Sequence, residues 1–350
     1  MKNTGFILII FIFIAIFSSC STDVEMYADY KDVAVIYAML DYRADTNFVK
    51  ITRAFCGSND NPIDANEIAL IADSSNYPDK LDVRIFELKN IHGGPYEPTG
   101  RVIVLDTITL HNKEQGVFYA PDQTFYYTAE PFNTGTENIR YKYHLVVVKP
   151  NGDTVTAQTS MVGNDDFCIL TSSVVFQLEH SDVLKKINFR ADDMASLYNV
   201  KMQFNYSEQH AGMEKEWKNV SFSFGTKPIF EYNISSNNTY YVEYSNNWLF
   251  NALENAIGGD TVVDANHPNV IRHIGSFIVS ISAGGDELTL YYSENQAQLN
   301  SPMSLISIYS NINGGFGIFS SRTTIKKTVD LSYSTKRDLF SVSAWGFKEQ

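Results

Sequence analysis

The run Tyr141-Lys142-Tyr143-His144-Leu145-Val146-Val147-Val148, followed by Lys149-Pro150-Asn151-Gly152-Asp153 and Thr154-Val155-Thr156-Ala157, decides the fold class. Tyr141, Tyr143, Leu145 and Val147 occupy one parity, the alternation that a sheet with one buried face imposes on its strands. Asn151-Gly152 then supplies the positive φ angles of a tight turn, so a β-hairpin is expected over 141–157.

Toward the N-terminus the same period recurs. Val49, Ile51 and Phe55 share a parity, as do Leu81, Val83 and Ile85, with Asp82 and Arg84 on the opposite face. About seven strands are expected between Val33 and Val162. Closed by the 141–157 hairpin, they look like an immunoglobulin or fibronectin type III sandwich, without the Cys…Trp…Cys signature of antibody domains. One helix is expected within this half, where Asp64 caps Ala65-Asn66-Glu67-Ile68-Ala69-Leu70-Ile71-Ala72 and Ile68, Ile71 and Ala72 have helical spacing. The polar Gly163-Asn164-Asp165-Asp166 marks the boundary, giving an immunoglobulin-like β-sandwich over 33–163.

Beyond it, strands are expected at Val174–Leu178, at Lys186–Phe189, along Tyr198, Val200, Met202, Phe204 and Tyr206, at Val220–Phe224 and at Tyr240–Tyr244. Trp248, Leu249, Ala252, Leu253, Ala256 and Ile257 repeat at three and four residues, a helix near 247–257 stopped by Gly258-Gly259. Phe277, Val279 and Ile281 then run through Ala283-Gly284-Gly285-Asp286 into Leu288, Leu290 and Tyr292, which reads as a second hairpin. Asn295–Ser301 is polar enough for a short disordered loop. The fold class is therefore mainly β: the N-terminal sandwich, then a second β-rich domain over 164–350 with one or two short helices.

The N-terminus carries a different message. Lys2 is followed by an uncharged apolar run from Phe6 to Phe17, then Ser18-Ser19-Cys20, the layout of a signal peptide over residues 1–19. The run is shorter than the roughly 20 residues a membrane-spanning helix needs. Small residues before a Cys at the end of such a run resemble the lipobox of bacterial lipoproteins, with Phe17 where Leu is usual. The resemblance implies cleavage before Cys20 and diacylation of its thiol. Two acyl chains make durable anchoring possible, because one chain binds only marginally at about 0.8 kcal/mol per buried CH₂. Residues 20–32, including Ser21-Thr22-Asp23-Val24-Glu25, then form a lipidated tether. A free or disulfide-bonded Cys20 in a soluble secreted chain is the alternative.

Composition narrows the function classes. The chain carries a formal net charge of −13, and the leader contributes only Lys2, so the processed protein is more acidic still. Nucleic acid is excluded as a partner, since affinity for phosphate comes from Lys and Arg and no basic run exists. Attachment to an anionic membrane must come from the lipid alone. Cys56 and Cys168 both lie in apolar strand-like surroundings and read as buried hydrophobes rather than a bridge.

Several segments are similar to an uncharacterised envelope lipoprotein family of Bacteroidota-type bacteria that carries a domain-of-unknown-function label. They are Val35-Ile36-Tyr37-Ala38-Met39-Leu40, Val49-Lys50-Ile51-Thr52-Arg53-Ala54-Phe55-Cys56-Gly57, the segment around Leu81-Asp82-Val83-Arg84, and Ile308-Tyr309-Ser310-Asn311-Ile312-Asn313-Gly314-Gly315-Phe316-Gly317-Ile318-Phe319. The resemblance implies an envelope location and an association with outer-membrane transport systems; the lipid-anchored chain is expected at the outer membrane, on the periplasmic face or the cell surface. It carries over no catalytic residue. Gly314-Gly315 is expected to form a turn or bulge, with Gly317 allowing close backbone approach.

No catalytic, cofactor or metal residue can be nominated. The histidines (His92, His111, His144, His180, His210, His267 and His273) include no pair at i, i+4, and His267 and His273 fit a polar loop better than zinc. Ser58-Asn59-Asp60-Asn61 and Asp264-Ala265-Asn266 are turn-forming rather than calcium loops. G-x-S-x-G, S-x-x-K and a papain-like Cys context are all missing. Asp106-Thr107-Ile108, Asp153-Thr154-Val155 and Asp260-Thr261-Val262 resemble bacterial O-glycosylation sites, but strand starts after turns explain them as well. The expectation is a non-enzymatic binding or accessory lipoprotein, set against an envelope hydrolase with carboxylates assembled only by folding, or a structural envelope protein.

Overall fold

The alternation at 139–148 becomes a strand whose Tyr143, Leu145 and Val147 are buried. In the computed structural model, which describes residues 32–54, 70–71, 75–114, 116, 119–120, 122–178, 183–257, 270–299, 309–342 and 345–349, the protein is mainly β. Its first half contributes β1 (Ala34–Leu40), β2 (Asn47–Arg53), β3 (Asp82–Ile91), β4 (Glu97–Val104), β5 (Asp106–Leu110), β6 (Gln123–Thr128), β7 (Ile139–Val148) and β8 (Thr154–Ser160), one more strand than expected. A sheet in the order β4-β3-β7-β8 packs against β5-β6-β2-β1, enclosing Ile36, Leu40, Ile85, Ile103, Tyr143 and Leu145. The β7–β8 hairpin forms as expected, in the register Val148↔Thr154. Its turn is wider than a two-residue one: only Gly152 takes positive φ, at +88°, and Asn151 Oδ1 accepts from the Asp153 amide at 3.0 Å.

The second half adds β9 (Cys168–Ile169), β10 (Ser173–Val174), β11 (Leu184–Arg190), β12 (Leu197–His210), β13 (Glu216–Pro228), β14 (Asn233–Ser236), β15 (Thr239–Ser245), β16 (Val270–Gly284) and β17 (Gly315–Leu331). The sheet β14-β15-β11-β9 faces the sheet that contains β13-β12-β16-β17, with Phe189 against Tyr198 and Phe176 against Phe277 in the core between them. Tyr198, Val200, Met202, Phe204 and Tyr206 all point inward, as their shared parity requires. Helix α1 (Trp248–Ile257) lies where expected and buries Leu249, Phe250, Leu253 and Ile257.

Two further helices correct the sequence reading. The segment after Gly284-Gly285 is not a hairpin strand but α2 (Asp286–Leu299). Leu288 and Tyr292 are four residues apart, so they share a helical face as readily as a strand face, while Leu290 is exposed. Asp286 and Glu287 occupy the first turn, where negative charge complements the helix N-terminus, and the Thr289 amide bonds Gly285 O at 3.1 Å. The polar Asn295–Leu299 continues this helix rather than forming a loop. Helix α3 (Tyr333–Ser341) is capped by Ser332, whose Oγ accepts from the Thr335 amide at 3.2 Å; it is the third α-helix whose bounds fall among the described residues.

The apolar cores divide at Met161 and Val162, beside the expected boundary, but the backbone does not. β17 pairs in parallel with β1 from Ala34↔Gly315 to Leu40↔Ser321, then antiparallel with β16 from Gly284↔Arg322 to Phe277↔Val329. Residues 33–163 are therefore not self-contained, because β17 completes their sheet and places Phe319 in their core, and the segment before it adds Ile312. Gly317 makes this pairing possible: at φ +111° a Cβ would stand 2.0 Å from Ile36 O. Across the junction the Val162 amide bonds Ser321 Oγ at 2.9 Å and Thr323 Oγ1 bonds Asp41 Oδ1 at 3.1 Å.

No helix among the described residues is long and apolar enough to cross a membrane. The signal peptide, Cys20, Cys56, the helix expected from Asp64, and His180 and His267 lie outside the described residues, with Leu70 and Ile71 at the edge of that helix described in a turn.

Candidate binding cleft

β16 has two neighbours on the edge away from β12, and they do not meet. The β17 ladder stops at Phe277↔Val329, after which β17 pairs with β10 and the chain turns into α3. The C-terminal tail joins the same edge at Arg272↔Phe347, with the Arg272 amide on Gly346 O and the Lys348 amide on Arg272 O, each at 2.9 Å. The bridge is parallel, so Lys348 and Glu349 continue in the direction of Ile274, and with Ile274, Gly275 and Ser276 they line a cleft of about 580 Å³. Ile274, Phe277, Val329, Leu331 and Phe340 make it apolar, Lys336, Arg337 and Lys348 bring positive charge, and Asp330 and Glu349 negative. Tyr333 stands at its mouth, 81% exposed.

A buried ion pair fixes one end. Arg272 Nε meets Glu208 Oε2 at 2.7 Å, and Arg272 Nη1 donates to Trp345 O at 2.9 Å, so the tail hangs on a side chain of β16. Lys218 Nζ, at 2.7 Å, and His210 Nε2, at 3.1 Å, engage the other Glu208 oxygen. Burial pushes the Glu208 carboxyl up, but the hydrogen bonds from Lys218 and Arg272 outweigh it and hold the group below the usual carboxylate range.

Gly275 shapes the floor. The β12–β16 register shifts between Phe204 and Tyr206, and a Cβ on Gly275 would lie 2.6 Å from Asn205 O and 2.8 Å from the Trp217 ring. The glycine thus lets Trp217 lie on the strand while remaining 66% exposed, with Lys215 Nζ 5.1 Å from its ring centroid. Arg337 is paired with Asp338 at 3.0 Å, whereas Lys336 and Lys348 have no ion pair among the described residues. The lining contains neither histidine nor cysteine; its polar groups are Ser276, Thr328, Asp330, Tyr333 and Glu349 beside the three cations.

Other polar clusters are occupied with structure. Glu87 accepts from Tyr143 at 2.9 Å, Asn133 at 2.8 Å, Thr99 at 3.0 Å and Arg101 at 3.2 Å, and burial pushes the Tyr143 hydroxyl far up. Asp192 receives the amides of Gly163, Asn164 and Met194 at 2.6 to 2.8 Å. His111 pairs with Asp122 at 2.7 Å and His210 with Glu208, while His144 and His273 lie apart in different strands. No His/Cys/Asp/Glu group among the described residues could hold a metal ion. Cys168 is a half-buried free thiol, and Asp106 and Thr154 stand at strand starts.

Sequence reading missed the cleft. Arg272 carried the one usable signal, a charge on the parity of Val270 that faces inward and so requires a buried partner. Lys336 and Lys348 sit in segments with no pattern that brings them together.

No family model and no curated protein matches the chain. Among solved structures, a chain from a cytokine receptor complex (crystal form 1A) aligns over 86% of this chain and 99% of its own, at 9% identity and a TM-score of 0.19. A TM-score that low says nothing about fold or function.

Proposed function

We propose that this chain is a non-enzymatic binding protein, tethered to the outer membrane of a bacterial envelope through Cys20, with the C-terminal cleft as its ligand seat. The observation that carries the reading is the cleft beside the end of the β16–β17 ladder: the apolar walls of Ile274, Phe277, Val329 and Phe340 stand beside two lysines that have no ion pair among the described residues. An apolar recess with a few polar groups of both signs, its cations outnumbering its carboxylates by one, favours a ligand with an anionic group and an apolar body. A role beside an outer-membrane importer belongs to the same proposal.

Trp217 lies on Gly275 and serves as the reporter. Its fluorescence is to be titrated with small carboxylates, acidic oligosaccharides and short peptides, for the natural chain and for a Lys336→Ala/Lys348→Ala variant. A saturable change with one class, lost in the variant, is expected. No response to any class, or an unchanged response in the variant, contradicts the proposal.

A further inference from the structure

We propose that the outward face of β13, β12 and β16 binds a neutral saccharide, with the Trp217 ring as its stacking surface and the carboxamides beside the ring as its hydrogen-bonding groups. The proposal goes beyond the cleft reading and does not depend on it.

The first argument is the posture of the ring. Trp217 pairs with Ser207 in the β13–β12 ladder, and β12 lies between β13 and β16. Yet a Cβ on Gly275, in β16, would stand 2.8 Å from Trp217 Cζ3. Neighbouring strands are about 4.8 Å apart, so the indole lies across β12 instead of standing up from the sheet. Ser207 agrees with this. Its parity is opposite to that of Tyr206 and Glu208, which face the core, but it is only 1% exposed, as a residue roofed by an indole must be. One face of the ring therefore rests on the sheet, and with Trp217 66% exposed the other is open to solvent. A ring already laid flat loses little freedom when a ligand stacks on it.

The second argument is what borders the ring. The next rows along the strands place Asn219 beside Asn205, and Ser221 beside Gln203. Gln203 Nε2 donates to Asn205 Oδ1 at 2.6 Å, and Asn205 Nδ2 donates to Ser276 Oγ at 2.9 Å, so a hydrogen-bonded chain fixes these side chains across the sheet. Ser221 Oγ donates to Asn219 Oδ1 at 3.3 Å. Gln203 Oε1 and Asn219 Nδ2 are left as an acceptor and a donor without partners among the described residues. Asn219 lies two residues from Trp217, about 7 Å along the strand, within reach of a sugar unit stacked on the ring.

The third argument is chemical class. These rows hold no carboxylate and no cation, which suits hydroxyl groups and disfavours an ionic ligand. The C–H face of a pyranose carries slight positive charge, matching the negative face of an indole. On the Asn219 side the ring is bordered by amides and hydroxyls rather than by the apolar side chains of a protein-interface core. Lys215 Nζ lies 5.1 Å from the ring centroid, but an exposed cation–π contact is weak and yields to a ligand.

The test titrates the full chain calorimetrically with neutral gluco-, manno- and N-acetylglucosamine oligosaccharides. Trp217→Ala and Asn219→Ala are compared with the natural chain and with Lys336→Ala/Lys348→Ala. Trp217 and Asn219 are both exposed, so neither change removes core packing, and circular dichroism confirms the fold of each variant. At least one series is expected to bind, about tenfold more weakly in Trp217→Ala and about fivefold more weakly in Asn219→Ala, with the lysine variant unchanged. Silence from every neutral saccharide overturns the proposal, as does an affinity that Trp217→Ala leaves unaltered. Binding lost in the lysine variant but kept in Trp217→Ala would move the saccharide to the cleft, overturning this proposal while supporting that reading. Sedimentation showing a self-association that Trp217→Ala abolishes would assign the ring to a second copy of the chain and also overturn it.

Discussion

Glu208 on β12 and Arg272 on β16 stand directly opposite one another in the ladder, 6% and 3% exposed at their side chains and 2.7 Å apart. The pair holds the C-terminal tail through Trp345 O and so closes the lower end of the cleft. Removing Glu208 strands the buried Arg272 charge, whereas removing Arg272 leaves Glu208 held by Lys218 and His210. Glu208→Ala is expected to destabilise the protein by about 3–5 kcal/mol, and Glu208→Leu combined with Arg272→Met by much less, because the double change removes both charges together. Urea unfolding of the two variants checks this.

Glu287 and Glu208 respond to pH in opposite senses. Glu287 on α2 accepts from Thr159 Oγ1 at 3.0 Å and Ser320 Oγ at 3.3 Å, and burial raises its pKa above the ordinary carboxylate value. The folded state therefore keeps this proton to higher pH than the unfolded chain. Its stabilising contribution is complete below the unfolded pKa and is lost as pH rises through the folded one. Glu287→Gln should be more stable than the natural chain at neutral pH, with the gain vanishing in acid. Glu208, held low, contributes above its unfolded pKa, and that contribution disappears as pH falls through its depressed value. Thermal midpoints recorded between about pH 3 and about pH 8 for Glu287→Gln and Glu208→Ala, each against the natural chain, separate the two trends.

Gly317 and Gly100 both take positive φ, but only Gly317 has backbone in its way, with Ile36 O 2.0 Å from a built Cβ and nothing within 4 Å at Gly100. Gly100→Ala should cost about 1 kcal/mol, the strain of the left-handed region alone. Gly317→Ala should cost several-fold more, because β1 and β17 must separate to admit the methyl group. Chemical denaturation of both variants is the comparison.

The strands were legible because period-two alternation is local: Tyr143-Leu145-Val147 and Tyr198 to Tyr206 declare their buried face within a few residues. Helix α1 was legible for the same reason. Helix α2 was not, since Leu288 and Tyr292 satisfy both periods and only the capping environment decides between them. The pairing of β1 with β17 joins opposite ends of the chain, and no local pattern encodes a partner. The cleft inherits that opacity, because it exists where β17 turns away from β16 and the tail has yet to arrive.

The shared strand makes a prediction about fragments. Residues 33–163 expressed alone lack β17, hence an edge partner for β1 and the Phe319 side chain in their core. The fragment is expected to be largely unfolded by circular dichroism and proteolysis, and to gain structure when a peptide spanning 309–322 is supplied. Folding of the isolated fragment without the peptide would show the strand to be dispensable.

The proposed attachment to a membrane through Cys20 is measured directly by the intact mass and N-terminal peptide of the chain recovered from its native host cells. The expected result is a polypeptide that begins at Cys20 and carries a diacylglyceryl group on the thiol. A retained leader, or an unmodified sulfur at that position, would contradict it.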